Sequence, residues 1–298
     1  MANEKSRGAL DRRNFLTGVT GLLTALTAGR SEAGAHDRAG TRPVPAADVP
    51  GVEPLPAPAT ANTTVLITGS NRGLGLEFVK IYARRGWRVI ATCREPESAD
   101  ALNKIATGNP EVIVERLDVV DHDGIDALAA RYRNWPVDIL INNAGIGGGS
   151  ENQLFGRLNY PVFDEVMAVN AVGPIKMAEA FMKQVRASTL KKIMTVSSSQ
   201  GSIASVRSPM LYWYRASKSA VNMLMTNLTF QVRRRGVIVG LVTPGATATD
   251  FIAPQFRKRI PSIREPAEAA ADMARNIDRF TIETSGSFVN YNGDVIPW

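Results

Sequence analysis

Apolar residues along this chain come in short runs separated by amphipathic stretches. Val65 to Thr68, Arg88 to Thr92, Val112 to Leu117, Ile139 to Asn142, Ile193 to Ser197, Val237 to Val242 and Ser287 to Asn290 are four to six residues each. Runs of that length and apolar density read as strands buried on both faces. Between them, apolar residues recur at helical spacing. This predicts helices over Gly73–Arg85, Pro96–Thr107, Asp123–Tyr132, Phe163–Asn170, Pro174–Ala187, Tyr214–Arg235 and Pro266–Arg279. Strict alternation of strand and helix predicts one Rossmann-type, doubly wound α/β domain with a seven-stranded, mainly parallel sheet.

The alternation begins only near Thr63, which sets the domain at 63–298. Residues 36–62 are rich in proline and alanine and poor in large apolar groups, the composition of a linker. Residues 1–35 have a polar start, Arg12-Arg13, Asn14-Phe15-Leu16, a mild apolar stretch and then Ala33-Gly34-Ala35 before His36. That layout is a removable signal peptide and resembles the bacterial twin-arginine export signal. It implies the twin-arginine machinery as a partner and a periplasmic or exported location, reached after folding. The alternative is a start site placed too far upstream, which leaves a cytoplasmic protein.

Composition narrows the chemistry. The single cysteine, Cys93, excludes an intrachain disulfide and a His/Cys metal cage, and no carboxylate spacing suggests a metal. No apolar run reaches the length of a membrane span. The net charge is +7, but Arg233-Arg234-Arg235 falls where a helix ends at Gly236, a place that favours cations. No nucleic-acid partner is expected.

The stretch Gly69-Ser70-Asn71-Arg72-Gly73-Leu74-Gly75 joins the first strand to the first helix. Gly69 permits a tight turn. Gly73 and Gly75 let backbone approach a pyrophosphate at the helix N-terminus. Taken alone, this is also the composition of an ordinary strand-to-helix turn. After the second strand stands Arg94 where an NAD-binding chain would place an acid. With Arg72 it could hold a 2′-phosphate, which points to NADP(H) over NAD(H), although Glu95 could neutralise Arg94.

The glycines run G-x-x-x-G-x-G, a spacing that resembles the short-chain dehydrogenase/reductase family. So do Asn142-Asn143-Ala144-Gly145 after the fourth strand, Ser198 with Gly201, Tyr214-Arg215-Ala216-Ser217-Lys218, Asn170 and the loop Pro244-Gly245-Ala246-Thr247-Ala248-Thr249-Asp250. The ending, Phe288 to Trp298, resembles the C-factor-like and sniffer-like carbonyl reductase branch. The resemblance implies cofactor contacts from Ser70, Asn71, Leu74, Asn143, Ala144, Gly145, Pro244, Gly245, Thr247 and Thr249. It implies that Asp118, with Val119, meets the adenine; a turn cap is the plain alternative for Asp118. It also implies a homodimer or homotetramer paired through the long helix and the one near Pro174–Ala187; on the long helix Met223, Leu224, Leu228 and Val232 offer an apolar stripe, for which packing against the sheet is the plain alternative.

Tyr214 and Lys218, four apart, share one face of a helix. A tyrosine is an ordinary acid only near pH 10, and a neighbouring ammonium favours its phenolate. The pair therefore reads as an acid/base, and the resemblance implies that Lys218 also holds the nicotinamide ribose. Ser198 would polarise a carbonyl, with Ser197 and Ser199 as neighbours of the same type. Asn170 would hold a water of the proton relay. Ser198 and Tyr214 are 16 positions apart, more than is usual in the family, so the loop Ile203–Trp213 must bulge beside the substrate. Ile146, Met210, Leu211, Trp213, Phe251 and Ile252 would line an apolar pocket for a small hydrophobic carbonyl or alcohol, with ordinary core packing as the alternative for each. The expected activity is NADP(H)-dependent carbonyl reduction or its reverse. The alternative is a cofactor-binding signalling protein of C-factor type.

Overall fold

A computed structural model describes residues 49–58, 62–252, 257–258, 260 and 262–298. The expected signal at 1–35 and residues 36–48 of the expected linker lie outside these. Seven strands form one sheet: β1 (Thr64–Thr68), β2 (Arg88–Cys93), β3 (Val112–Arg116), β4 (Ile139–Asn142), β5 (Lys192–Val196), β6 (Ile238–Val242) and β7 (Phe288–Val289). Their order is β3-β2-β1-β4-β5-β6-β7, and every neighbouring pair is parallel. The sheet is thus wholly parallel rather than mainly so.

Alternation within a strand builds the two layers, because successive side chains point to opposite faces. Leu66 enters one core with Ile90, Leu140, Ile193 and Val239. Val65 and Ile67 enter the other with Val89, Ala91, Ile139 and Ile141. The first core is covered by α3 (His122–Arg131), α5 (Gly173–Ala180), α6 (Met182–Ala187) and α7 (Tyr212–Val232). The second is covered by α1 (Gly73–Arg84), α2 (Asp100–Gly108) and α8 (Pro266–Arg279).

The predicted helix over 96–107 divides into a 3-10 turn (Pro96–Ser98) and α2, the one over 214–235 becomes α7 with a 3-10 turn (Arg233–Arg235) after it, and two others differ more. The first begins earlier, as α4 (Tyr160–Met167), with Pro161 in its opening turn, where a missing N–H is harmless. It then runs into a π turn over Ala168–Val172. The second is broken at Phe181, whose backbone (φ −91°, ψ 6°) leaves the helical region between α5 and α6. The predicted pairing stripe also divides. Val232 lies in the core, Leu224 and Leu228 pack against it, and Met223 stays exposed together with Phe230.

Part of the expected linker belongs to the domain. The Leu55 N–H donates to the Arg131 carbonyl at 2.8 Å. Asn134 Nδ2 and Trp135 Nε1 donate to the carbonyls of Leu55 (3.2 Å) and Pro56 (2.8 Å). No helix among the described residues is long and apolar enough to cross a membrane.

Candidate active site

The chain reverses direction across the sheet between β1 and β4, and their C-terminal ends form a crevice of the kind that binds ligands in such folds. Thr68 Oγ1 accepts the N–H groups of Asn143 and Ala144, both at 3.0 Å. Asn143 Nδ2 donates back to the carbonyls of Thr68 (2.9 Å) and Gly69 (3.0 Å). The loops after β1 and β4 are thereby fixed to each other. A Cβ on Gly75 would lie 2.0 Å from the Gly69 oxygen and 2.6 Å from Asn143 Nδ2, so no side chain fits there. The chain before α1 provides no capping side chain, and no acid occupies the first turn. Its leading N–H groups and positive end suit a phosphate. The crevice therefore fits a dinucleotide.

Other members of the expected set are placed differently. Ser70 is fully buried, and its hydroxyl donates to the Ile67 carbonyl at 2.9 Å, so its side chain braces the loop. Asn71 and Arg72 are exposed, and Arg72 is ion-paired with Asp250. Arg94 is exposed and has no side-chain partner among the described residues. Asp118 Oδ1 accepts the Val120 N–H at 3.2 Å, the turn cap weighed above, and Val119 is buried against Gly173. In the loop after β6, Gly245 has φ +73° and Thr247 is buried with its hydroxyl toward the Gly245 carbonyl. Thr249 lies against Gly73.

Around Tyr214 the groups converge. Burial raises its phenol above the ordinary value, and a hydrogen bond with Ser198 opposes that rise. Lys218 Nζ stands 5.8 Å from the Tyr214 ring centre and donates to the Val196 carbonyl at 3.0 Å. Burial brings the Lys218 ammonium down to about 8. Desolvation, and not the expected downward pull of the ammonium, therefore sets the direction of the tyrosine's shift. Of the three consecutive serines, Ser197 is buried and bonded to Asn222 Oδ1 at 2.6 Å, and Ser199 is exposed. Ser198 is the one beside the phenol.

Asn170 sits in the π turn, 1% exposed. Its Oδ1 accepts the Ile146 N–H and its Nδ2 donates to the Ile146 carbonyl, both at 2.8 Å. Nδ2 also reaches Ser217 Oγ at 3.0 Å. The side chain is therefore committed to holding the β4 loop against α7. Of the expected pocket, Phe251 packs on Tyr214 (6.0 Å between centres) and against Gly145 and Gly147. Trp213 packs instead on Phe163 and Tyr160. Met210 is exposed, and Leu211 takes a left-handed conformation at the start of α7. Gln153 was not anticipated. It is fully buried, and its Oε1 accepts the Tyr214 N–H at 2.8 Å.

Comparison with known proteins agrees with this architecture. The short chain dehydrogenase family model matches residues 63–260. The chain belongs to the short-chain dehydrogenase/reductase family. It is 32% identical over 241 residues to 1-hydroxy-2-glutathionyl-2-methyl-3-butene dehydrogenase of a Rhodococcus species, covering 79% of this chain and all of that one. It is 32% identical over 172 residues to the C-signal of Myxococcus xanthus, covering 58% of this chain and 99% of that protein. Its fold is similar to the crystal structure of NADPH-bound carbonyl reductase from chicken fatty liver. The TM-score there is 0.72 with 28% identity, over 80% of this chain and all of the other. The chain is thus an oxidoreductase by family, with a nucleotide crevice of Rossmann type.

Proposed function

We propose that this protein is an NADP(H)-dependent carbonyl reductase acting on a small hydrophobic aldehyde or ketone, or on the alcohol in reverse. The observation that carries the proposal is the meeting of Tyr214, Ser198 and Lys218 beside Gly145 in the loop after β4, one wall of the nucleotide crevice. Bound nicotinamide supplies the hydride chemistry. Gly69, Gly73, Gly75 and the N-terminus of α1 would hold the pyrophosphate, and Arg94 the 2′-phosphate. Ser198 donates to the substrate oxygen and stabilises the charge that develops there. Tyr214 gives its phenolic proton to that oxygen as the carbonyl carbon is reduced. A phenol raised by burial stays protonated at neutral pH, the form a proton donor needs. Lys218, one helical turn away, is the nearest ammonium for restoring the proton. Phe251 and Ile146 provide apolar wall.

The C-signal similarity favours a second reading, a nucleotide-binding signalling protein with little turnover. Tyr214→Phe separates the two. Under the reductase reading, kcat for NADPH-dependent aldehyde reduction falls about 100-fold or more, the usual weight of a general acid, while NADPH binding measured by fluorescence persists. No measurable aldehyde or ketone reduction by the unaltered protein, with NADPH still bound, would favour the second.

A further inference from the structure

Helix α7 starts without a cap of its own. Leu211, the residue before it, sits at φ 54° and ψ 45°, a region costly for a branched side chain, and gives no side-chain acceptor. Tyr214 is the third helical residue, so its N–H is among those that a helix leaves unpaired. Gln153 fills this role from another segment. Its Oε1 takes the Tyr214 N–H at 2.8 Å, while its Nε2 donates to the carbonyls of Gly147 (2.8 Å) and Gly149 (2.9 Å). The amide is fully buried with its acceptor and both donors engaged. The wrap around it depends on Gly148, where φ is +74° and a Cβ would lie 2.7 Å from Val166 Cγ2.

We infer that Gln153 is a positioning residue: it caps the first turn of the Tyr214 helix in trans and holds the phenol in register with Ser198 and Lys218. Ser198 is held in the turn that follows β5, and Lys218, one turn further along α7, is anchored by its bond to the Val196 carbonyl. A loosened first turn would therefore shift the tyrosine relative to both. The inference rests on the acid/base reading of Tyr214.

The test compares Gln153→Leu, Gln153→Glu and Tyr214→Phe in steady-state reduction of 4-nitrobenzaldehyde by NADPH across pH. For Gln153→Leu we expect kcat to fall about fivefold to tenfold. KM for NADPH should stay within about twofold, and the alkaline limb should shift. A buried glutamic acid in its neutral form keeps the acceptor and one donor; ionised, it faces the Gly147 and Gly149 carbonyls with no donor and is pushed out of place. Gln153→Glu should therefore approach the parent rate at low pH and lose it as the carboxyl ionises. An unchanged kcat and alkaline limb in Gln153→Leu, with Tyr214→Phe inactive, would overturn the inference and leave the acid/base reading intact. So would a loss fully explained by a smaller folded fraction in circular dichroism. If the leucine variant does not fold, a Gln153→Glu profile parallel to the parent at every pH overturns it. Turnover surviving in Tyr214→Phe would overturn the acid/base reading and the inference with it.

Discussion

Tyr214 and Lys218 stand one helical turn apart, and burial moves their proton affinities in opposite directions. The lysine has a consequence for stability. Its folded value, about 8, lies below the 10.5 of a free lysine. As pH rises the folded chain releases that proton first, so the unfolded state binds more protons between these values and stability climbs. Urea unfolding at pH 8 to 10 should show this climb, and Lys218→Met should flatten it. The pair itself is legible in the sequence because a spacing of four on a helix writes a shared face. Gly201 likewise singles out Ser198. Gln153 is not legible: a lone glutamine carries no spacing, and its partners are backbone groups, one of them 61 positions away. Nor is the link from Arg72 to Asp250, 178 positions on, which only the folded loops bring together.

At the scale of elements, buried parallel strands announce themselves because both faces must be apolar. All seven were readable to within a residue or two. The π turn that carries Asn170 runs into Gly173-Pro174, which in the sequence reads only as a boundary between two helices, and the break at Phe181 has no proline or glycine to mark it. The glycine loop is the reverse case, where sequence spacing and geometry coincide. Gly75→Ala places a methyl on the Gly69 carbonyl and Asn143. Overpacking of this kind costs about 1–3 kcal/mol, so the melting temperature should fall. NADPH affinity should fall further, because the displaced backbone is the surface that would meet the phosphates under the proposed function.

For the whole molecule, the export reading of residues 1–35 can be checked directly. Cell fractionation followed by intact mass measurement should find a periplasmic chain starting at His36 with nucleotide attached. Twin-arginine export carries folded proteins, which would allow a cofactor loaded in the cytoplasm to leave with the enzyme. Only full-length protein in the cytoplasm would refute this reading.

The stretch Thr249–Phe251 touches both halves of the crevice. Thr249 meets Gly73, Asp250 pairs with Arg72, and Phe251 lies on Tyr214. The Arg72–Asp250 pair is highly exposed, and such pairs hold weakly. It is a contact easily exchanged as ligands come and go. Whatever shifts the first two residues also reshapes the wall the substrate meets. Under the proposed function the two binding events share this one stretch, so filling one half of the crevice alters the grip of the other.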